Sequence, residues 1–142
     1  MIDRSRIGFT TAPTAVAVDA WRVKLFCQAI GENDPAAWAP GAPLPPTFLK
    51  AIEGEHFSSA ELMQLLQVPL RGVLHAEQRF DHDAPVHIGD TVEVTRMVTR
   101  IDDKKDGALT FIVVETTFRV ASQRVATSTQ TILVRNALAA VA

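Results

Sequence analysis

The chemistry-bearing side chains of this chain fall in a few short stretches. Glu32 and Asp34 stand two apart in Gly31-Glu-Asn-Asp-Pro35, a turn sequence directly after a predicted helix. Carboxylates that close suit general acid–base work, one holding a proton while the other takes one. The competing reading, which the turn composition favours, makes them solvated turn acids. Asp34 then forms the local hydrogen bonds that Asx residues make in turns. His75 and Glu77 stand two apart in a predicted strand, which expects them on one face. Either they are a polar pair in or beside a ligand site that faces a partner, or they fix the strand against the helical segment. Glu53 and Glu55 lie on a predicted helix, where a solvated face is expected of both. The helix start at Thr47 and Phe48 presents backbone N–H groups that can hold a carbonyl or an oxyanion. Trp38 and Phe48 either line a channel in front of that start or pack into the core. Cys27 falls on an apolar helix face and reads as a small buried hydrophobe. His56, His82 and His87 are scattered, with His82 between two aspartates as in a surface turn. With no His pair at i, i+4, no metal centre is expected. Gly89-Asp-Thr91 is a turn into a strand and lacks the spacing of a phosphate loop.

The elements that must position these groups follow from periodicity and punctuation. Val16-Ala-Val18 predicts a short strand. Asp19 supplies an N-cap oxygen for a helix whose Val23, Phe26, Cys27 and Ile30 recur at i, i+3, i+4, i+7. Gly31 suits the residue after that helix, where positive φ is needed. Ala39-Pro-Gly-Ala-Pro-Leu-Pro-Pro46 allows no regular structure. A helix from Thr47 to about His56 follows, with Phe48, Leu49 and Ile52 on its apolar side. Ser58 and Glu61, at capping-box spacing, begin a second short helix that runs to about Pro69. From Val73 the pattern is β: Val73 to Phe80, then Thr91 to Ile101, Ala108 to Val120 and Arg124 to Arg135. Lys104-Lys-Asp-Gly107 and Ala121-Ser-Gln123 are tight connections, so the three long strands form an antiparallel meander. In its middle strand Ile112, Val114, Phe118 and Val120 share one face, while Leu109, Phe111 and Val113 lie on the other. A helix of the same chain can cover one face. The other requires another subunit or copy, or else forms a local patch under the N-terminal segment. Strand, helix, helical segment and then a curved antiparallel sheet is an α+β order. A sheet wrapped round one helix, the hot dog arrangement, fits it.

The chain has 142 residues, 47% hydrophobic and 21% charged, which predicts one globular domain over residues 1–142. A net charge of -2 with no basic run leaves no footprint for nucleic acid or an anionic membrane surface. No apolar run approaches the roughly 18–20 residues that span a bilayer. Met1 to Arg6 carries charges with no long apolar stretch behind it, which argues against a secretory signal. The single cysteine excludes an internal disulfide and a Cys-x-x-Cys metal site, and a reducing, cytoplasmic setting fits.

Four stretches occur in a telling order: Ala29-Ile-Gly-Glu-Asn-Asp-Pro35, Pro45-Pro-Thr-Phe48, Leu74-His-Ala-Glu-Gln-Arg-Phe80 and Pro85-Val-His-Ile-Gly-Asp-Thr91. Together, across Phe9 to Arg135, they resemble the MaoC-like dehydratases, in particular the N-terminal branch similar to the dehydratase of type I fatty acid synthases. The resemblance implies a hot dog fold and hydration or dehydration of acyl thioesters carried on coenzyme A or acyl carrier protein. It implies no cofactor beyond that substrate. It also implies work as paired hot dogs, in a homodimer or with a second subunit. Active members carry an Asp, an Asn-Pro pair, and a His five positions after the Asp. Aligned on Pro35, this chain places Glu32 at the Asp, Asp34 at the Asn and Ala37 at the His. Pro45-Pro-Thr-Phe48 stands where active members carry an Ala-His-Gly-like helix start. The resemblance therefore implies a non-catalytic, acyl-binding half, with Trp38, Thr47, Phe48, His75 and Glu77 as its candidate substrate-binding residues and Glu32 as the one weak catalytic candidate. The alternatives are a hydratase using Glu32, a hot dog thioesterase using Glu53 or Glu55 as base or nucleophile, and a binding module without chemistry.

Overall fold

The computed structural model of the chain describes residues 2–136. Its strands are β1 (Thr14–Ala17), β2 (Val73–His82), β3 (Thr91–Lys104), β4 (Leu109–Val120) and β5 (Gln123–Arg135). Its helices are α1 (Ala20–Ala29), α2 (Leu49–Glu53) and α3 (Ser59–Leu65). The strands form one antiparallel sheet in the order β1-β3-β4-β5-β2. The meander β3-β4-β5 is its middle, and β2 is an edge strand with β5 as its one partner in the sheet. This is the hot dog fold: a curved antiparallel sheet packed on a helix.

Local signals act as the chain pattern requires. Asp19 accepts a hydrogen bond from the backbone N–H of Arg22 at 2.9 Å and starts α1. Ser58 and Glu61 form both halves of a capping box. Two expectations are corrected. Ile30, expected on the apolar face of α1, is 57% exposed. The helix ends at Ala29, and Gly31, at φ +87°, turns the chain away before Ile30 reaches the core. The predicted helix from Thr47 to His56 is shorter: a 3-10 turn over Pro46–Phe48, then α2, which stops at Gly54.

The buried side chains form two apolar clusters. One joins α1 and the start of α2 to Val92, Val94, Phe118 and Ala126. The other joins α3 to Val98, Ile101, Ile112, Val114, Ile132 and Val134. Residues paired across an antiparallel ladder share a face, so the register defines what separates the clusters. Arg96, Thr116 and Ser128 lie side by side across β3, β4 and β5 on the inner face. The next row, Val98, Val114, Gln130 and Gln78, is polar at its β5 and β2 end. A buried polar belt thus crosses the sheet between two hydrophobic cores. On the opposite face of β4, Leu109, Phe111 and Val113 are only half-buried.

Candidate functional site

The turn after α1 is built from its own carboxylates. Glu32 Oε1 accepts from the backbone N–H of Asp34 at 2.8 Å, and Asp34 Oδ1 accepts from that of Ala36 at 2.9 Å. Asp34 thereby caps the 3-10 turn Pro35–Trp38. Both acids are exposed, which agrees with turn acids that hold backbone. Ala37 lies half-buried against the first core and carries no group that moves a proton. Trp38 packs there too, with Lys24 Nζ 5.9 Å from its ring.

At the start of α2, Phe48 is 2% exposed and meets Phe26 edge-on at 5.3 Å between ring centroids. Its ring belongs to the first core. Thr47 is exposed. The helix behind them has five residues, too few for aligned peptide dipoles to add up to much. Two clefts open on the seam between α2 and the edge strand β2. One, of about 250 Å³, involves Pro45, Pro46, Leu49, His82 and Val86. The other, of about 180 Å³, involves Lys50, Met63, Val73, His75, Gln130 and Ile132.

The expectation that His75 and Glu77 share a face is corrected. The ladder to β5 shifts between them: His75 pairs with Ile132, but Glu77 pairs with Thr131. The extra residue, Ala76, makes a β-bulge, and one added residue reverses every later side chain. His75 therefore faces inward at the second cleft, and Glu77 faces outward.

The second correction concerns Glu53, expected on a solvated helix face. Its side chain is buried, ion-paired with Lys50, and Ser128 Oγ donates to its Oε2 at 2.5 Å. Gln78 Nε2 donates in turn to Ser128 Oγ at 3.1 Å. Glu55 does stand in solvent, bridged to Arg22 at 2.8 Å. The reason for the difference is position: Glu53 ends α2 directly above the polar belt, while Glu55 follows the turn at Gly54. Arg96, 3% exposed, completes the belt by donating to Phe57 O at 2.5 Å and Gln130 Oε1 at 2.9 Å. Burial pulls its guanidinium below the usual arginine value, and the nearby Glu53 charge works the other way. Among the described residues, the buried side-chain atoms without a hydrogen-bond partner are Gln78 Oε1, Arg96 Nε and Thr116 Oγ1. All three lie in this belt.

A model of the FAS1-like dehydratase domain region matches residues 5–128. The chain belongs to that family. As a dehydratase-region protein it is 32% identical over 115 residues to a UPF0336 protein of Streptomyces coelicolor, spanning 70% of this chain and 73% of the relative. A UPF0336 protein of Saccharopolyspora erythraea is 31% identical over 114 residues, spanning 73% and 71%. Among solved structures, the HadBC (3R)-hydroxyacyl-ACP dehydratase complex of Mycobacterium tuberculosis matches with a TM-score of 0.75 at 16% identity, over 90% of this chain and 96% of that one. The ChsH1-ChsH2 complex of the same organism matches at 0.70 and 18%, over 93% and 88%. The (R)-hydratase of A. caviae matches at 0.62 and 18%, over 89% and 94%. The fold is thus that of the MaoC-like hot dog hydratases and dehydratases.

The remaining titratable groups of this dehydratase-region chain lie apart from the seam. His56 Nε2 lies 3.3 Å from Ala15 O, and His87 is held near Asp90 by a backbone contact at 2.8 Å. No cluster of three metal-ligating side chains occurs among the described residues, and no helix there is long and apolar enough to cross a membrane. Cys27 is fully buried, and desolvation, then the Glu32 charge, pushes its thiol up. Iodoacetamide should therefore alkylate Cys27 slowly in the native chain and rapidly in denaturant, measured by mass. Equal rates would show that the α1 core opens readily. Sequence reasoning missed Arg96, Ser128 and Gln130 as a unit. The signal was there in part: Val94, Arg96 and Val98 alternate at one parity, which puts an arginine on an apolar strand face.

Proposed function

We propose that this chain is the acyl-binding, catalytically degenerate half of a MaoC-like hydratase or dehydratase. It would pair with a second hot dog that supplies the Asp and His. The observation that carries this reading is the turn after α1. Alanine stands at the position of the family's His, and both nearby carboxylates accept backbone hydrogen bonds within the turn. A 2-enoyl thioester needs a water deprotonated at one side and a proton delivered at the other. Two turn carboxylates that each hold a backbone N–H, with no imidazole beside them, are poorly suited to the paired task.

The acyl thioester would lie along the seam between α2 and β2, with His75 and Lys50 beside the inner cleft. Pairing is supported by the structural neighbours that are two-subunit complexes. It is also supported by the long edge strand β2 and the half-buried Leu109, Phe111 and Val113. The stand-alone thioesterase reading is weaker, since both Glu53 oxygens are already engaged and Glu55 stands away from the seam.

The test is hydration of crotonyl-CoA and of a longer 2-enoyl-CoA by the purified chain, followed at the enoyl absorbance. The expected result is no turnover. Turnover that Glu32→Gln abolishes would overturn the reading and make Glu32 a working base.

A further inference from the structure

The polar belt stands between two clefts on the inner face of the sheet. The first, of about 180 Å³, is the seam cleft lined by Lys50, Met63, Leu70, Val73, Gln130 and Ile132. The second, of about 260 Å³, lies under the N-terminal segment and is lined by Phe9, Glu53, Phe57, Val94 and Arg96. Two contacts join the wall of one to the wall of the other. Arg96 Nη2 donates to Gln130 Oε1 at 2.9 Å, and Lys50 is ion-paired with Glu53. In each pair one residue lines the first cleft and its partner lines the second. Ser59 steadies the Gln130 amide at 3.4 Å, and Ser128 holds Glu53 from the strand side.

We propose that Gln130 and Lys50, locked to Arg96 and Glu53, form the end wall of the acyl groove and set its chain-length limit. The inference rests on the reading that the seam takes an acyl thioester, and it names the acyl class as short. A growing acyl chain first meets Met63, Leu70, Val73 and Ile132, and each methylene gains by leaving water. At the wall the next methylene has to displace a hydrogen-bonded amide or part a buried ion pair. Gln130, Arg96 and Glu53 are buried, so whichever of them loses its partner cannot recover water, and that loss exceeds the gain from one methylene. A cleft of about 180 Å³ holds roughly six groups the size of a water or a methylene. The second cleft is larger than the first, so breaching the wall more than doubles the available room.

The experiment is a binding series of butyryl- to dodecanoyl-CoA on the full chain and on Gln130→Ala, by calorimetry, with a thermal melt to confirm folding. In the natural chain affinity should rise with length by about fourfold per methylene and then level off or fall near hexanoyl to octanoyl. In Gln130→Ala the rise should continue beyond that point. A natural-chain profile that climbs steadily to dodecanoyl overturns the end wall whether or not the variant folds. A plateau that Gln130→Ala leaves in place overturns the role of Gln130 while the acyl-binding reading stands. Binding at no length overturns both together.

Discussion

Mixed with a hot dog subunit that carries the family's Asp and His, this chain is expected to sit in a complex that hydrates 2-enoyl thioesters about 10²–10⁴-fold faster than the chain alone, the range that positioned acid–base groups supply. The gain should vanish when the partner's His is replaced by alanine. It should survive Glu32→Gln in this chain. The physical basis is the turn after α1. Ala37 has no titratable group, and Glu32 already uses one carboxylate oxygen on the Asp34 N–H in holding the turn. Steady-state rates of the mixture, with each variant in turn, check the expectation. A mixture as slow as the chain alone, across several catalytic hot dogs, would remove the pairing and leave a binding module.

Glu53→Ala is expected to destabilise the chain by about 3 kcal/mol, the lower end of what removing one partner of a buried pair costs. Lys50, at 36% side-chain exposure, can recover some hydration, which keeps the figure at that lower end. Ser128 cannot, since it is fully buried and loses its acceptor on Glu53. For a domain of this size the loss corresponds to a melting temperature about 10 °C lower. Glu55→Ala, two residues on, should change stability by no more than about 0.5 kcal/mol. Urea unfolding of both variants measures the contrast. Equal costs would mean that the belt contributes nothing as a buried network.

The contrast between Glu53 and Glu55 shows where sequence reasoning stops. Both are glutamates near one short helix, and residue type alone expects both in water. The burial of Glu53 depends on Ser128, which is 75 residues away in sequence, and on its position over the belt. His75 and Glu77 make the same point in a strand. Alternation is a local rule and holds until a bulge at Ala76 shifts the ladder to β5. The clefts of the seam, and the place of Phe48 in the core instead of a channel, likewise depend on how α2 settles on the sheet.

By itself the sequence determined the order and type of the elements, the N-cap at Asp19, the capping box at Ser58, the meander, and the family. Aligned on Pro35, the resemblance also places Ala37 where active members carry their His. These are short-range or positional properties: helix caps, hydrophobic periods and turn residues act within a few positions, and a missing side chain is missing in any fold. Only the tertiary structure decided which polar residues are buried together. Arg96 and Gln130 meet across a span of 34 residues, and Lys50 and Glu53 become a wall because strands β3 and β5 carry polar groups beneath them. A buried charge survives where distant partners converge on it, and that convergence is a property of sheet register, which no local stretch of sequence contains.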